Sequence, residues 1–152
     1  MAKAALRETD IAFGRAVLLA TDALGMSAEG AFWTRFQDED RWRFFLITSL
    51  FDSMGPREIY LRLNMALAKK LSERETREFG LFMASPCEAF LKDFPGSICT
   101  SIYASEPIKR SLKINGQLAD LWIYRFASGM DEKRAKKAER KFKKEVETLL
   151  AA

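Results

Sequence analysis

Residues 108–126 read IKRSLKINGQLADLWIYRF, and this stretch decides the fold class of the 152-residue chain. Two runs rich in aliphatic and aromatic residues flank Asn115-Gly116, a pair that favours a two-residue hairpin turn because both positions tolerate positive φ. The register of such a turn sets Asp120 opposite Ser111 on the neighbouring strand. The stretch therefore predicts an antiparallel hairpin.

A second hairpin is predicted towards the N-terminus. Residues 31–36 and 41–51 are rich in aromatic and aliphatic side chains and are separated by the polar turn Asp38-Glu39-Asp40. The strand at 41–51 is apolar on both faces, which is typical of a strand that is covered from both sides. We therefore expect this strand inside the sheet rather than at its edge.

Helical periodicity marks three further segments of the chain. A first helix ends at Gly25, a second begins at Pro56, and a basic amphipathic helix spans about 131–150. A short strand is predicted at 79–84. Because a helix connects it to the strand at 41–51, we expect these two strands to be parallel.

The segment after this short strand is less regular. Ser85-Pro86-Cys87-Glu88 carries a Ser-x-x-Glu capping pattern, which predicts a short helix that ends at Pro95-Gly96. Residues 97–103 fit a strand or a loop. The predicted order is α-ββ-α-β-α-ββ-α, a single α+β domain over residues 1–152 with a mixed, mostly antiparallel sheet of about five strands packed by helices.

The composition excludes several chemistries. The chain has no histidine, which removes Ser-His-Asp and Cys-His nucleophile pairs and His-ligated metal sites. It has no glycine pattern of the kind that binds nucleotide phosphates or dinucleotides. Cys87 and Cys99 are the only cysteines, too few for a disulfide framework. We expect neither a metal nor a cofactor.

No segment has the pattern of a membrane span or a targeting sequence. The longest strongly apolar stretch, residues 44–51, is far shorter than the ~20 residues of a membrane-spanning helix. The N-terminus lacks the basic, apolar and small-residue order of a signal peptide. We expect a cytoplasmic protein without a membrane partner.

An enzyme is the third of three functional hypotheses. Cys87 would be the second residue of its predicted helix, where the helix dipole favours a thiolate, but Glu88 opposes a second anion and no histidine base exists. The acidic turn at 38–40 fits a solvated turn better than a cation site. Asp120 is expected to pair with polar and basic neighbours on the adjacent strand.

A small-anion site is predicted where two strands end. If the strands at 41–51 and 79–84 are neighbours, the helix starts that follow them lie side by side and offer free N–H groups. The candidate ligands at these starts are Ser53, Arg57, Ser85 and Cys87.

Nucleic-acid binding is the second hypothesis. The net charge is +4, and eight Lys/Arg against five Asp/Glu from Asp131 onward leave +3 of it in the last helix. Arg41 and Arg43 flank Trp42, which strand alternation turns towards the core. Basic side chains contact phosphates, although the interspersed acids dilute the field. The candidate residues are Arg41, Arg43, Lys136, Lys137, Arg140, Lys141 and Lys144.

The first hypothesis is a non-enzymatic binding or interaction domain that self-associates. The chain holds 12 Phe, 3 Trp and 3 Tyr, more than one core of this size needs, and large exposed apolar patches mark association sites. We expect a homodimer whose surface is formed by Phe32, Trp33, Phe36 and the C-terminal helix.

Overall fold

A computed structural model describes residues 6–71, 81–88, 91–92, 108–114, 116–126 and 131–152. Within these ranges four α-helices and five strands make a single-domain α+β fold with one mixed sheet, as the sequence predicts. In chain order the elements are α1 (Glu8–Ala23), β1 (Gly30–Phe36), β2 (Arg43–Ile47), α2 (Leu50–Met54), α3 (Pro56–Lys70), β3 (Leu81–Ala84), β4 (Ile108–Ile114), β5 (Gln117–Phe126) and α4 (Glu132–Ala151).

The sheet has the strand order β3-β2-β1-β5-β4. β1 runs antiparallel to both of its neighbours, and β4 pairs antiparallel with β5 in the predicted register, with Ser111 opposite Asp120. Gly116 in the connecting turn has φ +80°, a conformation that glycine adopts without strain. β2 and β3 are parallel neighbours, which confirms the predicted pair. β2 lies inside the sheet, as expected.

The second strand is shorter than predicted, because the chain turns at Thr48. The Thr48 N–H donates to the Ala84 carbonyl (3.0 Å), and the Thr48 hydroxyl accepts from the Leu50 N–H (3.1 Å). These two bonds end β2 and start α2. Leu50 is buried with Phe44 and Leu46 in one cluster, so the apolar run satisfies the core although its last part is helical.

The predicted short helix after β3 is a turn in the residues that the structure describes. The Cys87 N–H donates to the Ser85 hydroxyl (3.0 Å), the Glu88 N–H donates to the Ser85 carbonyl (3.1 Å), and a 3₁₀ turn follows at residues 91–92. The predicted end at Pro95-Gly96 and the strand or loop at 97–103 lie outside the described residues.

A β-bulge in β5 turns two consecutive polar side chains towards α1. Ala31 pairs with Arg125 and Phe32 with Ile123, so that Tyr124 is the extra residue. Tyr124 donates its hydroxyl to a carbonyl of α1, and Arg125 forms a bidentate ion pair with an aspartate of the same helix. The bulge therefore attaches α1 to the sheet through polar groups.

The core consists of two clusters, one on each face of the sheet. All four helices contribute to the first, whose larger members are Phe13, Val17, Leu24, Met26, Trp33, Phe44, Leu46, Leu50, Ile59, Leu63, Phe142 and Val146. The second, on the opposite face, comprises Phe32, Ile47, Ala84, Leu91, Ile114, Ala119, Leu121 and Ile123.

The predicted dimer surface requires a correction. Phe32 and Trp33 are buried, one in each cluster, and Phe36 is half-buried against the second. On that face Phe32, Phe45 and Phe82 stack across three strands, with ring centroids 5.6 and 5.5 Å apart. The high aromatic content of the sequence is therefore accounted for in part by two hydrophobic clusters instead of one.

The last helix docks on the body through the predicted apolar stripe. Ala135, Phe142 and Val146 are buried within it. Polar contacts fix its flank against α3 in order along both helices, from Glu58–Lys143 (3.7 Å) through Arg62–Glu147 (3.7 Å) to the Lys69 ammonium and the Ala152 carbonyl (3.3 Å). α3 and α4 therefore run parallel. In the described part of the chain, no helix combines the length and the apolar character that a membrane crossing requires.

Candidate nucleic-acid interface

The outward side of α4 carries a row of cations. Lys133, Lys137, Arg140 and Lys144 follow one another at steps of four, three and four residues, which places them on one side of a helix. All four are exposed, and they lie opposite the buried Phe142. We call these four residues the basic stripe.

The acidic residues of α4 lie beside the basic stripe or, in the case of Glu147, beyond its C-terminal end. Glu132 pairs with Lys136 (3.2 Å), Glu139 with Lys143 (3.2 Å), and Glu147 reaches Arg62 of α3. Among the residues that the structure describes, no carboxylate oxygen lies within 4.0 Å of a stripe nitrogen. The acids of the described residues therefore leave the stripe nitrogens without a direct ion pair, while the net charge from Asp131 onward stays +3.

The predicted basic residues of the helix have different surroundings. Lys137, Arg140 and Lys144 belong to the basic stripe, whereas Lys136 is held by Glu132. Lys141 lies next to the stripe, and its aliphatic stem passes so close to Gly25 that a Cβ there would be 2.6 Å from the Lys141 Cγ.

Lys133 completes the stripe but was not among the predicted candidates. Its position four residues before Lys137 is the sequence signal that identifies it.

Of the two predicted arginines of the first hairpin, Arg43 lies apart from the basic stripe. Arg43 pairs with Glu39 (3.3 Å), and its guanidinium carbon is 5.7 Å from the ring centroid of Phe82, on the sheet face opposite to the helices. Arg41 is exposed. Trp42 packs against the helix-side cluster, as expected from strand alternation.

One of the four predicted anion ligands, Ser85, is hydrogen-bonded to a carboxylate. The Ser85 hydroxyl donates to Asp52 (2.6 Å) while it accepts from the Cys87 N–H. Ser53, Arg57 and Cys87 are exposed.

The charge at this strand end disfavours an anion. Asp52 lies beside Ser85, and buried Glu29 accepts from the Ser49 N–H (3.2 Å) and hydroxyl (2.5 Å) of the neighbouring turn. The second helix start that the prediction requires is a turn in the described residues. Binding of an anion by these four residues stays a prediction.

Other carboxylates of the sequence form ion pairs. Asp120 pairs with Arg35 of β1 (2.7 Å), a partner on the other side of β5 that the hairpin alone did not indicate. Glu39 of the acidic turn pairs with Arg43. In the described part of the chain, no three His, Cys, Asp or Glu side chains are grouped to hold a metal ion.

A scan against protein-family models and searches of curated proteins and of solved structures found no match to this chain.

Proposed function

We propose that this protein binds nucleic acid through the phosphate backbone, using the basic stripe of α4. One observation carries the proposal: the outward side of a docked helix presents four cations in line, while Glu132, Glu139 and Glu147 pair with other basic residues. Lysine and arginine side chains that neutralise phosphates release condensed counterions, which drives association.

The chemistry of the stripe favours nucleic acid over a protein partner. The centre of a protein–protein interface is apolar and poor in lysine, whereas the stripe consists of lysine and arginine alone. The regularly spaced phosphates of a nucleic-acid backbone are a better electrostatic complement to this row of cations.

Membrane insertion is disfavoured by the way α4 docks. An interfacial helix buries its apolar face in lipid, but Phe142 and Val146 are fully used by the core. Only electrostatic attraction would remain for an anionic bilayer.

The test is a titration of labelled DNA and RNA by fluorescence anisotropy at low and moderate salt. Neutralising about four phosphates predicts that the affinity for B-DNA falls roughly a hundredfold between about 50 and 200 mM salt. The variant Lys133→Gln/Lys137→Gln/Lys144→Gln should lose at least ~10-fold in affinity, because three phosphate contacts are removed.

A matched control separates the stripe from net charge. Lys70→Gln/Lys92→Gln/Lys113→Gln removes the same charge from exposed positions on other elements and should bind within ~3-fold of the unaltered protein. Equal losses in both variants, or binding that salt does not weaken, would contradict the proposal. If vesicles of anionic lipid bind more tightly than DNA or RNA, the basic stripe would be a membrane-binding surface instead.

Self-association is the second candidate function, and apolar side chains on α1 and α3 favour it. Leu61 (60% exposed) and Met65 (46%) lie on the outer side of α3, and Leu19 (58%) on that of α1. Exposed apolar side chains on adjacent helices are typical of association surfaces. Light scattering at micromolar concentration should return twice the monomer mass of 17.3 kDa, and Leu61→Glu should return the monomer. A monomeric mass for the unaltered protein would exclude this candidate.

A further inference from the structure

We infer that the nucleic acid that fits the basic stripe is a double helix, contacted through its phosphates and without reading of base sequence. This inference rests on the proposed function and specifies its partner. It follows from three properties of α4, namely its rigidity, the side chains on its outward face and the length of the stripe.

Rigidity comes from the way α4 is fixed to the body. Phe142 and Val146 are buried to 0% and 1% exposure, and the ordered contacts with α3 prevent the helix from rotating about its axis. The Cα atoms of the stripe therefore form a straight row with fixed spacing. Such a row complements a partner whose charges are also fixed in space, as phosphates are on a duplex, better than a flexible single strand.

The outward face of α4 lacks aromatic, asparagine and glutamine side chains. Proteins that hold single strands stack bases on aromatic side chains, and those that read a duplex use bidentate pairs, from Arg or Lys to guanine and from Asn or Gln to adenine. The aromatic residue of α4, Phe142, is buried, and the helix contains no Asn or Gln. Lysine and arginine at a surface row contact phosphates, which carry no sequence information directly.

The length of the stripe also suits a duplex. Lys133 and Lys144 are eleven residues apart, so that their Cα atoms are separated by about 16 Å along the helix axis. The major groove of B-DNA is ~12 Å wide, so the two ends of the stripe extend to the phosphates that border it. Four cations over this length are expected to neutralise about four phosphates.

The experiment compares a short duplex with a non-pairing single strand of equal length, and two duplexes of unrelated sequence with each other. The duplex should bind at least ~10-fold more tightly than the single strand, and the two duplexes should agree within ~3-fold. The slope of log affinity against log salt should be about −3.6 on the duplex, at −0.9 per phosphate. Lys137→Gln should reduce its magnitude by ~0.9, whereas Lys136→Gln, whose ammonium is engaged by Glu132, should change it less.

The outcomes separate this inference from the proposed function. Tighter binding of the single strand, or a preference above ~10-fold between the two duplexes, would overturn the duplex inference while the stripe remains a nucleic-acid interface. If the slope of log affinity against log salt is the same for Lys137→Gln and the unaltered protein, Lys137 does not contact a phosphate. Absence of binding to every nucleic acid would overturn the proposed function itself.

Discussion

At the scale of single residues, Tyr124 joins α1 to the sheet. Its hydroxyl donates to the Ile11 carbonyl (2.7 Å) and accepts from the Trp33 indole N–H (3.2 Å). The Tyr124 side chain is buried against α1. Its hydroxyl and ring edge fit there because Gly14 has no side chain. Three residues far apart in sequence therefore form one packed polar contact.

Gly14→Ala should destabilise the protein although alanine is the better helix former. A Cβ at this position would lie 2.6 Å from the Tyr124 hydroxyl and 2.8 Å from the Trp33 indole nitrogen. Overpacking of this kind costs about 1–3 kcal/mol, whereas helix propensity alone would add up to ~1 kcal/mol of stability. Urea unfolding gives the sign. A variant more stable than the unaltered protein would show that the helix yields without cost.

Burial also makes Tyr124 a determinant of alkaline stability. Desolvation by burial raises the pKa of Tyr124 above the ordinary value of 10.0. Below about pH 10 both folded and unfolded states hold the proton, and its full contribution to stability is present. Above that pH the unfolded state loses the proton first, so the free energy of unfolding falls by up to ~1.4 kcal/mol per pH unit.

Tyr124→Phe isolates this proton. The variant should be less stable at neutral pH, because the Ile11 carbonyl and the Trp33 N–H lose their partner, but its unfolding free energy should fall less steeply above about pH 10. Urea unfolding at a series of alkaline pH values measures both slopes. Parallel slopes would mean that the hydroxyl ionises as readily in the folded state as in the unfolded one.

At the scale of elements, α1 and β5 are joined by a partly buried ion pair. Arg125, 4% exposed, contacts both carboxylate oxygens of Asp22 (2.6 and 3.0 Å) and donates to the Ala28 carbonyl (2.9 Å). Removing one member of such a pair leaves a buried charge without compensation. The pair therefore fixes where α1 ends relative to the sheet.

Asp22→Asn should cost about 3 kcal/mol of unfolding free energy, because Arg125 stays buried and charged. Glu132→Gln is the control, since its pair with Lys136 is solvent-exposed and worth at most ~1 kcal/mol. Thermal or urea unfolding measures both variants. Similar costs in the two would indicate that solvent screens Arg125 as well as it screens Lys136.

Local pattern predicted the elements better than their ends and their long-range pairs. The Asn115-Gly116 turn fixes the β4–β5 register because both strands are adjacent in sequence. Leu50 satisfies the same cluster from a helix as from a strand, so apolar alternation alone could not locate the end of β2. The pairing of Asp120 with Arg35 depends on β1 lying beside β5, which no local signal encodes.

The basic helix and the local pairing of Glu139 were predicted from the sequence, but the row of cations on its outward side was not. Helical spacing alone could have grouped Lys133 with Lys137 and Lys144. Which acids are engaged depends in part on α3, because Glu147 reaches Arg62 across the helix pair. The pairs of Glu132 and Glu139 are local to α4, whereas that of Glu147 is a tertiary contact.

At the scale of the whole molecule, α4 is a part of the core as well as the proposed interface. Phe142→Ala should cost about 3–5 kcal/mol, because it leaves a cavity where α4 meets the helix-side cluster. Lys133→Ala on the outward face should stay within ~0.5 kcal/mol. Calorimetry or urea unfolding measures the difference. A small loss for Phe142→Ala would mean that α4 is only loosely attached, and that its stripe is not a rigid row.

The place of β1 in the middle of the sheet has a consequence for synthesis. Residues 30–36 pair on one side with β2, which follows closely in sequence, and on the other with residues 119–126, which the ribosome adds much later. Until β5 has been synthesised, the edge of β1 that will pair with β5 has no partner. An unpaired strand edge is a template for aggregation. Pairing over so long a sequence separation is also slow. We therefore expect the nascent chain to need chaperone protection most in the interval after β1 has left the ribosome and before β5 has done so.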